Sequence, residues 1–573
     1  MYRKDNMTNT TKHTACVLGI DTGGTTTDAV LYDPLTEGVV AKGMAPTTRQ
    51  DLKNGIHHSI DSLRPVNGAD LSDVQIEKVV LSTTLATNAI VEGQGRPTGL
   101  ILIGSRPKGE LPTEEVAQIT GKINIKGRET EPVDPDEIEE AVTQMLPKVE
   151  AIAVSGMMSV RNNAHELAVK KVIRCHSKMP VVCGHELSSK LGYHDRTVTT
   201  VLNASLIPII EGFVQAVRET MAERGITAPV YLVKGDGALA SLETISSKPI
   251  ETILSGPAAS ILGAMVLAKT DSGIVADMGG TTTDTGVVRH HSLTLSPVGA
   301  KVGQWQTQVD SAKLATFGLG GDTEIYPDVS AGAPVLTTHR VPPACRGGEK
   351  EDLTPTDLLC AEGSLTRWDT AASQYALAFQ SRRAGLNQAD YLSQAKALVV
   401  DRIVSKVFNE AAYSEGADAE LPVIAIGAPA KTWYTLVKNE ADVHRDILVP
   451  EHFEVANAVG AATAAIEERV DALVRPDEAT EGYVAHVGGQ SVFFEDKDKA
   501  VAYAKAEAGK IAQKQAESQG PETIHTDVTD KDIQQKIGWR WRYVETRVQA
   551  VARSGHLTLV PEEEKPAFEK NFD

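Results

Sequence analysis

The chain has 573 residues, too many for one hydrophobic core, and is expected to divide into about three or four units of roughly 100–200 residues. Its formal charge of -19 argues against nucleic acid as a partner, because a phosphate backbone needs a basic footprint. The five cysteines, Cys16, Cys175, Cys183, Cys345 and Cys360, form no CxxC pair, which argues against a disulfide framework and against a cysteine-based zinc or iron–sulfur site.

The polar start, Met1 to His13, lacks the apolar region of a secretory signal, and no run reaches the ~20 apolar residues of a membrane span. A cytoplasmic protein with no membrane partner is expected on those grounds. Ala15–Ile20 reads as a buried strand, followed by a Gly-rich turn and a second apolar run, Ala29–Leu31. Leu52–Leu63 reads as a helix, and Lys78–Leu81, Gly99–Ile103 and Ala151–Val154 as strands. Pro135–Met145 has helical spacing with Glu137, Glu139 and Glu140 on its polar side. A long helix is expected over Val201–Arg224, then strands at Pro229–Val233 and Ile274–Met278. Ala389–Ala412 reads as an amphipathic helix, Leu421–Ile426 as a strand and Ala502–Gln515 as an Ala/Lys-rich helix. Polar stretches near Gly127–Asp136, Ala268–Ser272 and Arg475–Thr480 are candidate boundaries.

An internal repeat organises these elements. Residues 19–30 read GIDTGGTTTDAV and residues 276–287 read ADMGGTTTDTGV. Between the leading and closing aspartates the copies differ only at Thr22 against Met278. One Gly-rich turn between strands is commonplace, but two near-identical copies point to duplicated halves, each built on a strand–turn–strand hairpin. Neither copy is a Walker A loop, which needs Gly-Lys-Ser/Thr opening a helix.

The repeated residues suit a triphosphate. Gly23, Gly24, Gly279 and Gly280 let backbone N–H groups approach phosphate oxygens closely. Thr25, Thr26 and Thr27, with Thr281, Thr282 and Thr283, add hydroxyl donors. Asp21 and Asp277, at strand ends, are candidate Mg²⁺ ligands and candidate catalytic groups that position water; the sequence leaves open which does which. The closing Asp28 and Asp284 are expected to brace the hairpins. Two such loops facing each other would clamp one nucleotide. That arrangement resembles the actin-like ATPase superfold of sugar kinases, actin and heat-shock ATPases. The resemblance implies an adenosine-binding segment, here Ile424–Ala430, with Gly427 and Ala428 against the nucleoside. The fold class expected is therefore α/β: duplicated actin-like ATPase (ribonuclease H-like) lobes over 14–200 and 201–470 with a nucleotide cleft between them. A small C-terminal α/β appendage would follow over 471–573.

A narrower resemblance lies in segments outside the loops. STTLATNAIVEG (Ser82–Gly93), HDRTVTTVLNASLIPII (His194–Ile210), SGPAAS (Ser255–Ser260), FGLGGDTEI (Phe317–Ile325), Pro343-Ala344-Cys345 and Thr354–Leu359 follow one another from about residue 15 to about 465. In that order they resemble the hydantoinase A/oxoprolinase family. The resemblance implies an ATP- and Mg²⁺-using hydrolase that opens a small cyclic amide such as a hydantoin, 5-oxoproline or related lactam by phosphorylating its carbonyl oxygen. It also implies a separate hydrolytic (B-type) subunit and an oligomer. Alternative readings are the ATPase subunit of a ketone carboxylase and a non-metabolic ATP switch or reactivating factor.

Several positions depart from the family pattern. Met278 stands for Ile or Val, Ala259-Ser260 for Gly-Gly, and Lys234–Ser241 (KGDGALAS) for a Gln-Ser-Asn-Gly-Gly segment. Asp322 stands in a Gly-rich stretch, as a metal ligand, a partner for Lys234 or a solvated loop residue. His185 with Glu186 and His194 with Asp195 are weaker candidates for a cleft site. Trp539–Tyr543 alternates aromatic and basic residues, as expected of a strand with one buried aromatic face.

Overall fold

Both copies of the repeat fold as β-hairpins, in sheets built on the same plan. The computed structural model describes residues 14–24, 26–47, 52–72, 74–290, 292–411, 421–441, 443–477, 481–537 and 540–554. Strand Thr14–Thr22 pairs antiparallel with Thr26–Asp33 and parallel with Val74–Thr83. Strand Gly273–Met278 pairs antiparallel with Thr283–Arg289 and parallel with Val423–Ile426. Register repeats too: Asp21 lies opposite Asp28, and Asp277 opposite Asp284. The architecture is a duplicated α/β plan, one hairpin sheet for each copy of the repeat.

Two helices of small residues join the lobes. Ser255–Ala268 packs on Ala456–Thr463 so closely that a Cβ on Gly263 would lie 1.8 Å from Ala456 O, and one on Gly460 1.8 Å from Ala259 O. Ala456–Thr463 also lies against the first strand, where a Cβ on Gly19 would meet Ala458 O at 2.1 Å. Ala259, which stands where the family pattern has Gly, thus supplies the carbonyl over which Gly460 passes.

A four-stranded parallel sheet stands apart from both hairpin sheets, in the order Val181–Cys183, Ala151–Gly156, Thr98–Ile103, Val116–Ile119. Helices Pro135–Met145 and Ala164–His176 cover one face through Ile138, Val142, Val169 and Ile173. The helix Tyr193–Glu223 covers the other through Val201, Ala204 and Ile207, then continues into the core of the first hairpin sheet with Phe213, Val214 and Val217. It begins before the expected Val201, and the boundary expected between 200 and 201 falls inside it. It is long and apolar enough, by length and composition, to cross a membrane, yet 78% of its most apolar window is buried within the protein. The expected absence of such a stretch failed because Thr197, Thr199 and Thr200 interrupt the apolar run. Their hydroxyls donate to carbonyls four residues back at 2.6–2.7 Å, so they pack as core residues.

Residues 465–573 form a second compact unit. Its antiparallel sheet runs Gln490–Phe494, Gly482–Val487, Glu467–Asp477, Arg540–Ser554, Ile524–Ile537. The boundary expected at 470/471 lies within strand Glu467–Asp477, which pairs with Arg540–Ser554. Helix Lys497–Gln519 buries Ala500, Ala504, Ala508, Ala512 and Ala516, a ridge at every fourth residue that lets it lie flat on the sheet. Trp541 is 66% exposed, so the aromatic face expected to be buried is open there; Tyr543 stacks edge-on against Tyr483. Trp539 lies outside the described residues.

Candidate functional site

Each Gly-rich turn closes by the same bond. Gly23 N donates to Thr26 O at 3.0 Å, and Gly279 N donates to Thr282 O at 2.9 Å. The N–H groups of these first glycines are therefore spent inside the turns, which leaves the exposed tips at Gly24, Gly280 and Thr281. The third threonine of each loop is also spent: buried Thr27 bonds Thr47 Oγ1 at 2.9 Å, and buried Thr283 donates to Leu319 O at 2.7 Å. Thr26 and Thr282 are half-buried and Thr281 is exposed; Thr25 lies outside the described residues.

The second loop rests on the Gly-rich stretch. Gly279 O and Gly280 O accept from Gly321 N and Asp322 N at 3.0 and 2.7 Å, and a Cβ on Gly320 would meet Gly280 O at 2.4 Å. Asp322 is buried and faces two guanidinium groups, Arg340 at 3.5 Å and Arg346 at 3.7 Å, while Lys234 reaches Asp236 at 3.8 Å. The solvated-loop and Lys234-partner readings of Asp322 are therefore replaced by a buried charge that anchors the loop. Burial raises its carboxyl above the usual range, and the two arginines oppose that rise.

Four carboxylates meet behind the turns. Asp21 is buried and accepts from Ser82 Oγ on one oxygen and from Asn457 Nδ2 at 3.2 Å on the other. Burial pushes it up to about 6 against those two bonds. Asp277 rises to about 7 through burial, opposed by the Ser260 hydroxyl and reinforced by the charges of Asp284 and Asp21. Asp28 is raised well above its usual range by burial and by the charges of Asp21, Glu454 and Asp277. These couplings between Asp21 or Asp28 and Asp277 bring the carboxylates of the two hairpins close together. Asp284 braces its hairpin as expected, accepting from Thr316 Oγ1 at 2.5 Å. Asp28 does not: its buried Oδ1 has no hydrogen-bond partner among the described residues.

The third chain segment at this point is the turn after Val423–Ile426. Gly427 has φ +90°, and a Cβ there would lie 2.2 Å from Met278 O and 2.7 Å from Asp277 Oδ1. Only glycine fits between that strand end and the second hairpin. Ala428, next in the turn, is exposed.

Sequence reasoning missed Ser82 and Asn457. Ser82 opens a motif whose threonines and asparagine drew attention instead, and Asn457 stands 436 positions from Asp21 on a helix of small residues. The histidine candidates lie elsewhere. His185 Nδ1 sits 2.5 Å from buried Glu166, not on Glu186, which pairs with Lys170 at 2.5 Å. His194 bonds Asp195 at 3.1 Å and Glu110 O at 2.9 Å.

Known proteins resemble this chain in sequence and in fold. Residues 17–177 match the hydantoinase/oxoprolinase N-terminal region, and residues 196–470 match hydantoinase/oxoprolinase. Caprolactamase subunit alpha from Pseudomonas jessenii is 28% identical over 383 residues, covering 61% of this chain and 54% of that protein. The acetophenone carboxylase gamma subunit from Aromatoleum aromaticum is 26% identical over 348 residues, covering 53% of this chain and 46% of its own length. The chain thus spans about half the length of these relatives. The crystal structure of the ATP-dependent caprolactamase from P. jessenii superposes with a TM-score of 0.70 at 20% identity, over 94% of this chain and 87% of that one. With two adjoining family regions that run from the first hairpin through the turn at Gly427, the chain belongs to the hydantoinase/oxoprolinase family.

Proposed function

We propose that the chain is the ATP-using part of an enzyme that opens a cyclic amide. The observation that carries this reading is the pair of matched Gly-Thr turns whose clustered, poorly compensated carboxylates lie close together. Asp21 and Asp277 are raised to about 6 and about 7, and Asp28 has a buried oxygen without a partner among the described residues. Oxygen donors crowded in this way suit a hard divalent cation such as Mg²⁺, with Asp21 and Asp28 as the groups that would hold it directly or through water. Bound Mg-ATP would supply a phosphoryl group to the amide oxygen, which makes the carbonyl carbon open to attack by water.

The protein's own residues supply position and charge. Backbone N–H groups at Gly24, Gly280 and Thr281, with the hydroxyls of Thr26, Thr281 and Thr282, are the donors for phosphate oxygens. Exposed Ala428, next to the tight turn at Gly427, leaves room for the nucleoside beside the second loop. Asp21, fixed by Ser82 and Asn457, is assigned to the cation. Asp277 has no such pair of bonds and titrates near neutrality, which suits a group that takes a proton from the attacking nucleophile.

Both sequence relatives are named as subunits, which supports a second, hydrolytic subunit as partner. The test is ATP turnover by the purified chain, alone and with its partner, with hydantoins and lactams of several ring sizes. ATP turnover that no cyclic amide stimulates, with the partner present, overturns the reading. The similarity to an acetophenone carboxylase subunit favours one alternative, ATP-driven carboxylation of a ketone. Stimulation by a ketone with bicarbonate, but by no lactam, selects it.

A further inference from the structure

Two arginines stand beside the second Gly-Thr loop, each on braced backbone. Strand Ala333–Arg340 ends on Arg340, in register with Thr323, and Val341 N donates to Asp322 O at 3.0 Å. That pairing sets Arg340 beside Asp322. Arg346 closes the turn Ala344–Arg346, where its backbone N donates to Pro343 O at 2.9 Å. Buried Asp357 fixes the same turn, accepting from Ala344 N at 3.1 Å and Cys345 N at 2.9 Å.

The carboxylate between the arginines does not saturate them. Arg340 Nη2 lies 3.5 Å from Asp322 Oδ2, and Arg346 Nη1 lies 3.7 Å from Oδ1. Both distances exceed the roughly 2.7–2.9 Å of a charge-assisted hydrogen bond. Asp322 is buried, yet its Oδ1 has no hydrogen-bond partner among the described residues. One carboxylate against two guanidinium groups leaves positive charge in excess. The two arginine side chains are 46% and 34% exposed. Arg346 lies over the Trp368 ring, its guanidinium carbon 5.4 Å from the centroid. A guanidinium stacked in this way keeps its N–H edge for hydrogen bonds.

This excess charge lies at the loop tip. A Cβ on Gly280 would stand 3.0 Å from Asp322 Oδ2, the oxygen that faces Arg340. Gly280 and Thr281 are the exposed residues of that loop. The turn offers a phosphate partial charges on backbone N–H groups but no full positive charge. Planar guanidinium forks supply one, and they match phosphate two oxygens at a time. We propose that Arg340 and Arg346 form, with the tip at Gly280 and Thr281, an oxyanion site that takes a phosphate group of the bound nucleotide. Asp322 is the positioning residue for both side chains. This site rests on the nucleotide reading above and adds the cationic part of its phosphate grip.

Titration calorimetry of the full-length chain with Mg-ATP and Mg-ADP tests it, on wild type, Arg340→Gln, Arg346→Gln, and Arg346→Gln combined with Asp322→Asn. Each single variant is expected to weaken Mg-ATP about tenfold or more, the size of a lost hydrogen bond to a charged group. Mg-ADP weakened equally assigns the inner phosphate to the arginines, and Mg-ADP unaffected assigns the terminal one. The combined variant separates contact from scaffolding, because it removes the buried carboxylate together with its partner. It is expected to regain the melting midpoint lost by Arg346→Gln, measured without nucleotide, while binding Mg-ATP as weakly as that variant. Wild-type affinity in the combined variant means that Arg346 serves only to neutralise Asp322, and overturns the proposal. Unchanged Mg-ATP affinity in both single variants overturns it too. A wild-type chain that binds no Mg-ATP overturns the nucleotide reading and this site with it, whereas the pattern among variants bears on this site alone.

Discussion

Asn457 Nδ2 donates to Asp21 Oδ2 at 3.2 Å, joining a helix late in the second lobe to the first hairpin of the first. The same carboxylate takes Ser82 Oγ on its other oxygen. Asp21 is therefore oriented from both lobes, and its direction reports how they meet.

Removing that brace should loosen Asp21 without removing its charge. A hydrogen bond to a charged group is worth about 1.5–3 kcal/mol. Asn457→Ala is expected to lower kcat/KM for ATP about tenfold or more and to shrink the rise in melting midpoint caused by Mg-ATP. Calorimetric titration of Mg-ATP checks it, and unchanged affinity and turnover would remove Asn457 from the site.

The two leading aspartates should fail differently. Asp21→Asn is expected to lose Mg²⁺-dependent nucleotide binding. Asp277→Asn is expected to keep binding and lose turnover by about a hundredfold or more, as for a lost general base. Binding by thermal shift and turnover by phosphate release separate the two, and the reverse pattern would exchange their roles.

A pH series follows from the raised carboxyls. Asp277 ionises near 7 in the folded chain against 3.8 for an ordinary aspartate. Between those values the folded state keeps a proton that the unfolded chain has released, so stability falls as pH rises through this window. Asp277→Asn has no proton to lose. Its melting midpoint should therefore climb relative to wild type from pH 5 to pH 8, by the equivalent of roughly 1–3 kcal/mol. Mg²⁺ needs the ionised carboxylates, so its stabilisation of the wild type should grow over the same range. A difference between the two proteins that is flat with pH would contradict the raised Asp277.

The crossing of helices Ser255–Ala268 and Ala456–Thr463 tolerates no side chain at its centre. A Cβ on Gly460 would stand 1.8 Å from Ala259 O, a backbone atom that cannot swing aside. Gly460→Ala is expected to cost about 1–3 kcal/mol or more, as overpacking does. Gly212→Ala, on the helix Tyr193–Glu223 with nothing within 4 Å, is the control and should not destabilise. Urea denaturation of both variants measures the contrast.

Much of the hairpin site was legible in the sequence because its chemistry is local. Two octets sharing Asp, Gly-Gly, three Thr and Asp dictate two tight turns, place Asp21 and Asp277 at strand ends, and repeat closely enough to reveal the duplication. The apolar runs around them marked the buried strands, since periodicity reports which residues leave water. It does not report which residues they meet. That Gly23 N and Thr27 Oγ1 are consumed within their own lobe, that Asn457 and Ser82 hold Asp21, and that Asp322 faces Arg340 and Arg346 were decided only when distant segments packed together. Burial can be encoded by one residue's own chemistry, whereas a partner belongs to two or more residues at once, and only the tertiary structure brings them together.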